Sequence, residues 1–141
     1  MKKVCSALLA FALLLVCTVP SHAAQAPTVS PLYVNTTRAS VSFTISESGK
    51  ANIVVTCVGN STATKISTVT YLEQKIGPVW VRVAIDSPDN EWLYTTTASF
   101  MQQSYDHTVT FKGKYRAVCE FTVEGTVEDE TFTLTNTYEY E

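Results

Sequence analysis

Between residues 38 and 141 apolar and polar side chains exchange places with a period of two, and no long stretch follows the 3.6-residue period of a helix. Residues 38–46 set Ala39, Val41, Phe43 and Ile45 on one side and Ser40, Ser42 and Thr44 on the other. After a turn at Ser48-Gly49-Lys50, residues 51–59 put Ala51, Ile53, Val55 and Cys57 on one face. Residues 66–75 predict a third strand, although Ile66, Val69, Tyr71 and Leu72 do not alternate. Gly77-Pro78 leads into a strand over 79–85, and a loop over 86–90 precedes one over 92–100. Tyr105, His107, Val109 and Phe111 then alternate with Asp106, Thr108 and Thr110. The clearest alternation follows Lys112-Gly113-Lys114: Tyr115, Ala117, Cys119, Phe121 and Val123 face in, between Arg116, Glu120, Thr122 and Glu124. The last strand, 131–140, sets Phe132, Leu134, Tyr138 and Tyr140 opposite Thr131, Thr133, Thr135 and Thr137. Threonine, valine and tyrosine abound, as suits a pleated, half-buried surface. Seven or eight short strands with turns between them predict an all-β fold, an antiparallel sandwich with polar outer faces.

The first 23 residues carry a different pattern. Met1-Lys2-Lys3 is basic, residues 7–19 are apolar, Pro20 breaks the run, and Ser21-His22-Ala23 supplies small residues. That order predicts a secretory signal peptide cleaved after Ala23. The run falls short of the roughly 20 residues that span a bilayer. Cys5 and Cys17 leave with the signal, and Leu15-Val16 before Cys17 departs from the small residue that precedes a lipidated cysteine. The expectation is a secreted, extracellular chain with no membrane attachment after cleavage. Residues 24–37, with Pro27 and Pro31, form an extended lead-in, and 38–141 form one domain.

Charge narrows the partners. The whole chain carries a net charge of −3, and removal of Lys2 and Lys3 makes it more acidic. Beyond Arg116 the chain has Glu120, Glu124, Glu128, Asp129, Glu130, Glu139 and Glu141 and no further basic residue. This balance argues against a nucleic-acid footprint and against a polybasic membrane patch.

Cys57 and Cys119 remain, both on inward faces of strong strands, with Trp80 between them in sequence. A cysteine, a later tryptophan and a second cysteine in this order predict an immunoglobulin-like sandwich with an inter-sheet Cys57–Cys119 disulfide and a core Trp80. Two buried free thiols are the alternative. Tyr115 stands four residues before Cys119, whereas the tyrosine corner of antibody domains stands two before its cysteine.

Catalytic chemistry is thin. His107 is the one histidine beyond the signal, and its alternation makes it a core or edge residue rather than a base. Asp86, Asp89 and Glu91 share one loop and Glu128, Asp129 and Glu130 another, but acidic turn residues are ordinarily just solvated. No cofactor or metal is expected. Trp92 and Tyr94 flank the first acidic loop and are candidate ligand contacts, since aromatic faces beside polar groups suit sugar or peptide; a core role is the alternative. Asn35-Thr36-Thr37 and Asn60-Ser61-Thr62 match the glycosylation sequon, as chance allows in a threonine-rich chain with a bacterial type of signal.

The run 64–75 (Thr-Lys-Ile-Ser-Thr-Val-Thr-Tyr-Leu-Glu-Gln-Lys), Trp80 and Gly113-Lys114-Tyr115-Arg116-Ala117 resemble a group of small secreted immunoglobulin-like β-sandwich proteins of gut Gram-positive bacteria. The resemblance implies fold and compartment and transfers no catalytic residue. The resulting expectation is a non-enzymatic extracellular binding or adhesion module for a glycan or a protein. The alternative is a structural subunit of a surface fibre.

Overall fold

The computed structural model describes residues 33–141, and the signal peptide, its cleavage site and most of the lead-in lie outside the described residues. Eight strands follow one another: β1 (Thr36–Ile45), β2 (Lys50–Gly59), β3 (Ala63–Ile76), β4 (Val79–Arg82), β5 (Trp92–Thr96), β6 (Phe100–Thr108), β7 (Gly113–Gly125) and β8 (Glu130–Tyr140). A 3-10 turn, Pro88–Asn90, stands between β4 and β5. The strands form two antiparallel sheets, one of three strands in the order β1-β2-β6 and one of five in the order β4-β3-β7-β8, with β5 also paired to β3. Their inner faces pack together as a sandwich.

The period-two alternation builds the core as expected. Val41, Phe43 and Ile45 of β1 and Ala51, Ile53, Val55 and Cys57 of β2 are buried against Tyr115, Ala117, Cys119, Phe121 and Val123 of β7. Aromatic pairs tie the layers: Phe43 meets Tyr138 edge-on at 6.2 Å, and Trp92 stacks on Tyr105 at 5.1 Å. At one side β1 and β8 adjoin, and the Asn136 Nδ2 donates to the Val41 carbonyl at 3.0 Å. That contact ties together the outer strands of the two sheets, where unpaired backbone would otherwise stand open.

Four departures from the sequence pattern have physical reasons. The inner face of β3 is Ile66, Thr68, Thr70 and Leu72, all buried, while Val69 and Tyr71 point outward. Two core threonines hide the alternation. β4 stops at Arg82 rather than at residue 85, because the chain leaves the β3 edge there and returns to it as β5. β5 ends at Thr96 rather than at residue 100, and the alternation over 105–111 belongs to β6, which runs from Phe100 to Thr108, nine residues of mostly polar composition at the edge of the smaller sheet. β1 starts at Thr36, two residues before the alternation begins, since Asn35 and Thr36 are buried by polar contacts rather than by apolar ones.

The cysteine expectation is corrected. Cys57 and Cys119 are both buried, and both are free thiols. Inward parity places each sulfur in the core, but a bridge also needs Cα atoms within roughly 4.4–6.8 Å and matched Cβ directions, which parity does not supply. The Cys119 thiol has a threonine beside it instead: Thr70 Oγ1 donates to Cys119 Sγ at 3.2 Å. Trp80 is corrected too: it sits half-buried on the outer face of β4, not in the core.

Candidate functional site

β4 is a four-residue edge strand, and its alternation gives it two functions. It pairs with β3 through Val79–Ile76, Trp80–Lys75, Val81–Gln74 and Arg82–Glu73. Trp80 and Arg82 therefore share the outer face with Lys75, Glu73 and Tyr71, and Val79 and Val81 point to the other side.

On the outer face charges and aromatic rings interleave. The Arg116 guanidinium lies 4.4 Å from the Trp80 ring centroid and donates from Nε to Glu73 at 2.5 Å. The Arg82 guanidinium lies 3.7 Å from the Tyr71 ring and pairs with Glu91. The Tyr71 hydroxyl donates to Glu120 at 3.0 Å. Burial raises the Tyr71 pKa, and its hydrogen bond to the Glu120 carboxylate raises it further. Arg116, Glu73, Arg82, Glu91 and Glu120 each have a partner here, and the Lys75 ammonium lies 6.0 Å from the Trp80 ring centroid, so this network holds β4 in place.

The other side of β4 opens on a groove of about 370 Å³. Ile76, Val81 and Val83 line it from the β3–β4 side, and His107, Phe111 and Tyr115 line it from the β6–β7 connection. Beyond Arg82 no strand covers this gap between the two sheets, because the chain turns away through residues 83–91. The apolar lining is unusually open: Phe111 is 71% exposed, Ile76 55% and Val81 43%. Gln74, Thr108 and Thr110 supply polar groups at the same place. The floor is rigid. Tyr115 is buried, and its hydroxyl donates to the Phe111 carbonyl at 2.6 Å, which fixes the turn that presents the Phe111 side chain. That bond, from a tyrosine to backbone four residues upstream, has the geometry of a tyrosine corner although the distance to the cysteine differs.

The residues singled out from the sequence fall elsewhere, with one exception. Trp92 and Tyr94 lie on the inward side of β5, half-buried against the core, with Trp92 stacked on Tyr105; the exposed residue between them is Leu93. His107 is the exception, half-buried on the groove side of β6. Two of the acidic loop residues tie the fold together: Glu91 pairs with Arg82, and Glu130 accepts from the Asn35 backbone N–H at 3.0 Å and the Thr36 hydroxyl at 3.1 Å. Among the described residues no three histidine, cysteine or carboxylate side chains group as a metal would require. Asp89 and Asn90 both have φ near 56°, the left-handed region that these two residue types tolerate in turns. Asn35 is buried, and its side chain is fully engaged, so this sequon is structural. Asn60 likewise turns its side chain to the backbone of Val34 and Thr62.

Sequence reasoning missed the groove because the alternation of Tyr105, His107, Val109 and Phe111 groups Phe111 with the inward residues, whereas the strand ends at Thr108 and Phe111 stands exposed in the turn that follows; Ile76 and Val81 lie at strand ends. Comparison of the chain with protein-family models, characterised proteins and solved structures finds no match.

Proposed function

We propose that this chain is a secreted, non-enzymatic binding module on an immunoglobulin-like sandwich, and that it holds an extracellular protein through the groove beside β4. The strand order supports the immunoglobulin-like reading. In that arrangement the first two strands and a later one make one sheet, and the third, the penultimate and the last make the other, with β4 and β5 as additions at the β3 edge. The basic, apolar and small-residue order of residues 1–23 supports secretion.

One observation carries the functional reading. Ile76, Val81 and Phe111 come from separate segments, each is exposed, and they converge on one rigid concave surface. Isolated exposed apolar residues are ordinary, but a contiguous exposed apolar patch rimmed by polar groups marks an interaction surface. An apolar groove favours protein over glycan, because sugar contact relies on an open aromatic face, and the Trp80 ring is already covered by Arg116.

The test is binding of residues 24–141, immobilised, to a panel of extracellular proteins, mucins and glycans, beside an Ile76→Asp, Phe111→Asp variant. Both positions are exposed, so the variant keeps its fold. Protein binding that disappears in the variant supports the reading. Binding that persists undiminished removes the groove from the site, and binding confined to glycans transfers the function to another face.

A further inference from the structure

The two sheets end differently at their lateral edges. On one side β1 and β8 adjoin, with the Asn136 amide bonded to the Val41 carbonyl. On the other side the larger sheet ends in β4 and β5, four and five residues long, set one after the other along β3. Short edge strands are one way in which a sheet is kept from pairing with a further strand. The smaller sheet ends in β6, and β6 has no such device. It is nine residues long and contains no proline, glycine or lysine. Its register with β2 is unbroken from Val58–Phe100 to Lys50–Thr108.

That register fixes which backbone groups β6 leaves free. Just beyond its ends, the Gly59 N–H donates to the Ser99 carbonyl at 2.7 Å, and the Val109 N–H donates to the Gly49 carbonyl at 2.9 Å. In an antiparallel ladder, hydrogen-bonded pairs alternate with non-bonded ones. Met101, Gln103, Tyr105 and His107 therefore turn their N–H and C=O groups to β2. Phe100, Gln102, Ser104, Asp106 and Thr108 turn theirs away from the sheet, and among the described residues no strand meets them there. All of these outward residues are exposed. The side chains beside the edge are held down onto β2. Asn52 Nδ2 donates to Ser104 Oγ at 3.0 Å and to Asp106 Oδ1 at 2.8 Å, and Lys50 Nζ lies 3.1 Å from Asp106 Oδ2. The carboxylate of this edge thus has a cation of its own chain beside it, which weakens its repulsion of a like strand.

We infer that β6 pairs antiparallel with β6 of a second copy of this chain, about a two-fold axis at Ser104. Ser104 stands at the middle of the free row, so this register alone brings every outward group of both strands into the ladder. What selects a second copy is that the strand complements itself. Gln102 lies opposite the partner's Asp106, an amide donor against a carboxylate, and Phe100 lies opposite the partner's Thr108. Between them Met101 meets the partner's His107 and Gln103 meets the partner's Tyr105. No like charges oppose each other, whereas a register centred on Asp106 would set that carboxylate against its own copy. The contact is isologous and closes at the dimer, joining two three-stranded sheets into one continuous sheet. It goes beyond the groove reading and does not depend on it, since Ile76 and Phe111 lie outside β6.

The test is sedimentation velocity of residues 24–141, which contain every described element, over rising concentration, with Ser104→Pro and Ser104→Lys alongside. Proline removes an outward N–H that β2 does not use, and lysine sets two like charges on the axis. Thermal melting checks that each variant keeps the fold. The wild-type chain is expected to reach about twice its monomer mass and to stop there, and both variants are expected to stay monomeric. Cross-linking places the axis. In Ser104→Cys the two new thiols oppose each other with Cα atoms about 5.5 Å apart, inside the roughly 4.4–6.8 Å that a disulfide spans. Mild oxidation is expected to link that variant into a covalent dimer and to leave Ser42→Cys, on the exposed face of β1, unlinked. Cys57 and Cys119 are buried and do not compete. A wild-type chain that stays monomeric or grows past the dimer overturns the proposal. So do folded Ser104 variants that still dimerise, and so does equal cross-linking at positions 42 and 104.

Discussion

The side-chain amide of Asn35 occupies the space that a β-carbon on Gly125 would need: such an atom would lie 2.5 Å from Asn35 Nδ2 and 2.6 Å from its Cγ. Gly125 is therefore required for room rather than for backbone conformation. The amide it admits gathers three segments at one end of the sandwich. Asn35 Nδ2 donates to the Glu128 carbonyl and, at 3.4 Å, to the Val123 carbonyl; Oδ1 accepts from the Thr62 hydroxyl at 2.8 Å; and the Asn35 carbonyl accepts from the Asn60 N–H at 2.8 Å.

Removal of that hub leaves buried polar groups unpaired. Asn35→Ala is expected to cost about 2–3 kcal/mol, and Gly125→Ala, which overfills the same space, about 1–3 kcal/mol. The two are expected not to add. With the asparagine truncated, the new methyl group has somewhere to go, so the double variant should be milder than the sum by about 1 kcal/mol or more. Urea denaturation of the four proteins measures the coupling, and strict additivity would show that the two residues do not share the space.

Tyr115→Phe removes one hydroxyl and nothing else. The Phe111 carbonyl then loses a 2.6 Å partner in a turn that carries a groove residue. The expected cost is about 1–2 kcal/mol, seen as a lower urea midpoint with an unchanged slope. Faster amide exchange in the Phe111–Gly113 turn than in β3 would place the loosening there; uniform acceleration would place it elsewhere.

How much of this was legible depended on whether apolar alternation carried the information. β1, β2, β7 and β8 were readable to within a few residues because their inner faces are apolar and their outer faces polar. β3 was blurred, because Thr68 and Thr70 take core positions and Val69 and Tyr71 take outer ones. Cysteine parity was legible, whereas the approach of the two sulfurs depends on how the sheets pack. Asn35 showed only as a sequon, since nothing local announces that an asparagine bridges three distant segments. The groove was invisible for the same reason: its lining is assembled from ends of strands that meet only in the folded chain.

The two tryptophans should respond unequally to truncation. Trp92 packs on the core and stacks on Tyr105, so Trp92→Ala is expected to cost about 3–5 kcal/mol. Trp80 rests on the outer face under Arg116, so Trp80→Ala is expected to cost about 1 kcal/mol or less. Thermal melts of both variants check the assignment; a more costly change at Trp80 would restore the core role that its place between the cysteines suggested.

The thiols give a prediction in pH. Burial pushes Cys57 up to about 11 and Cys119 up to about 12, against an ordinary value of 9.0. Above pH 9 the unfolded chain releases these protons and the folded chain keeps them, so the unfolded state gains. The contribution of the neutral thiols is therefore complete below pH 9 and is lost as pH rises through 11 and 12. Burial also raises Tyr71, Tyr105 and Tyr115 above 10.0, which adds a loss of the same sign at higher pH. The interval from pH 9 to 10 thus belongs mainly to the cysteines. Stability measured by urea denaturation should begin to fall there, and the fall should vanish in a Cys57→Ala, Cys119→Ala variant. Thiol titration supplies the independent check. Residues 24–141 should show no reactive thiol when folded and two when denatured without reductant. Absence of thiol in the denatured, unreduced chain would mean that the pair had bridged, and the alkaline loss between pH 9 and 10 should then disappear from the wild-type chain as well.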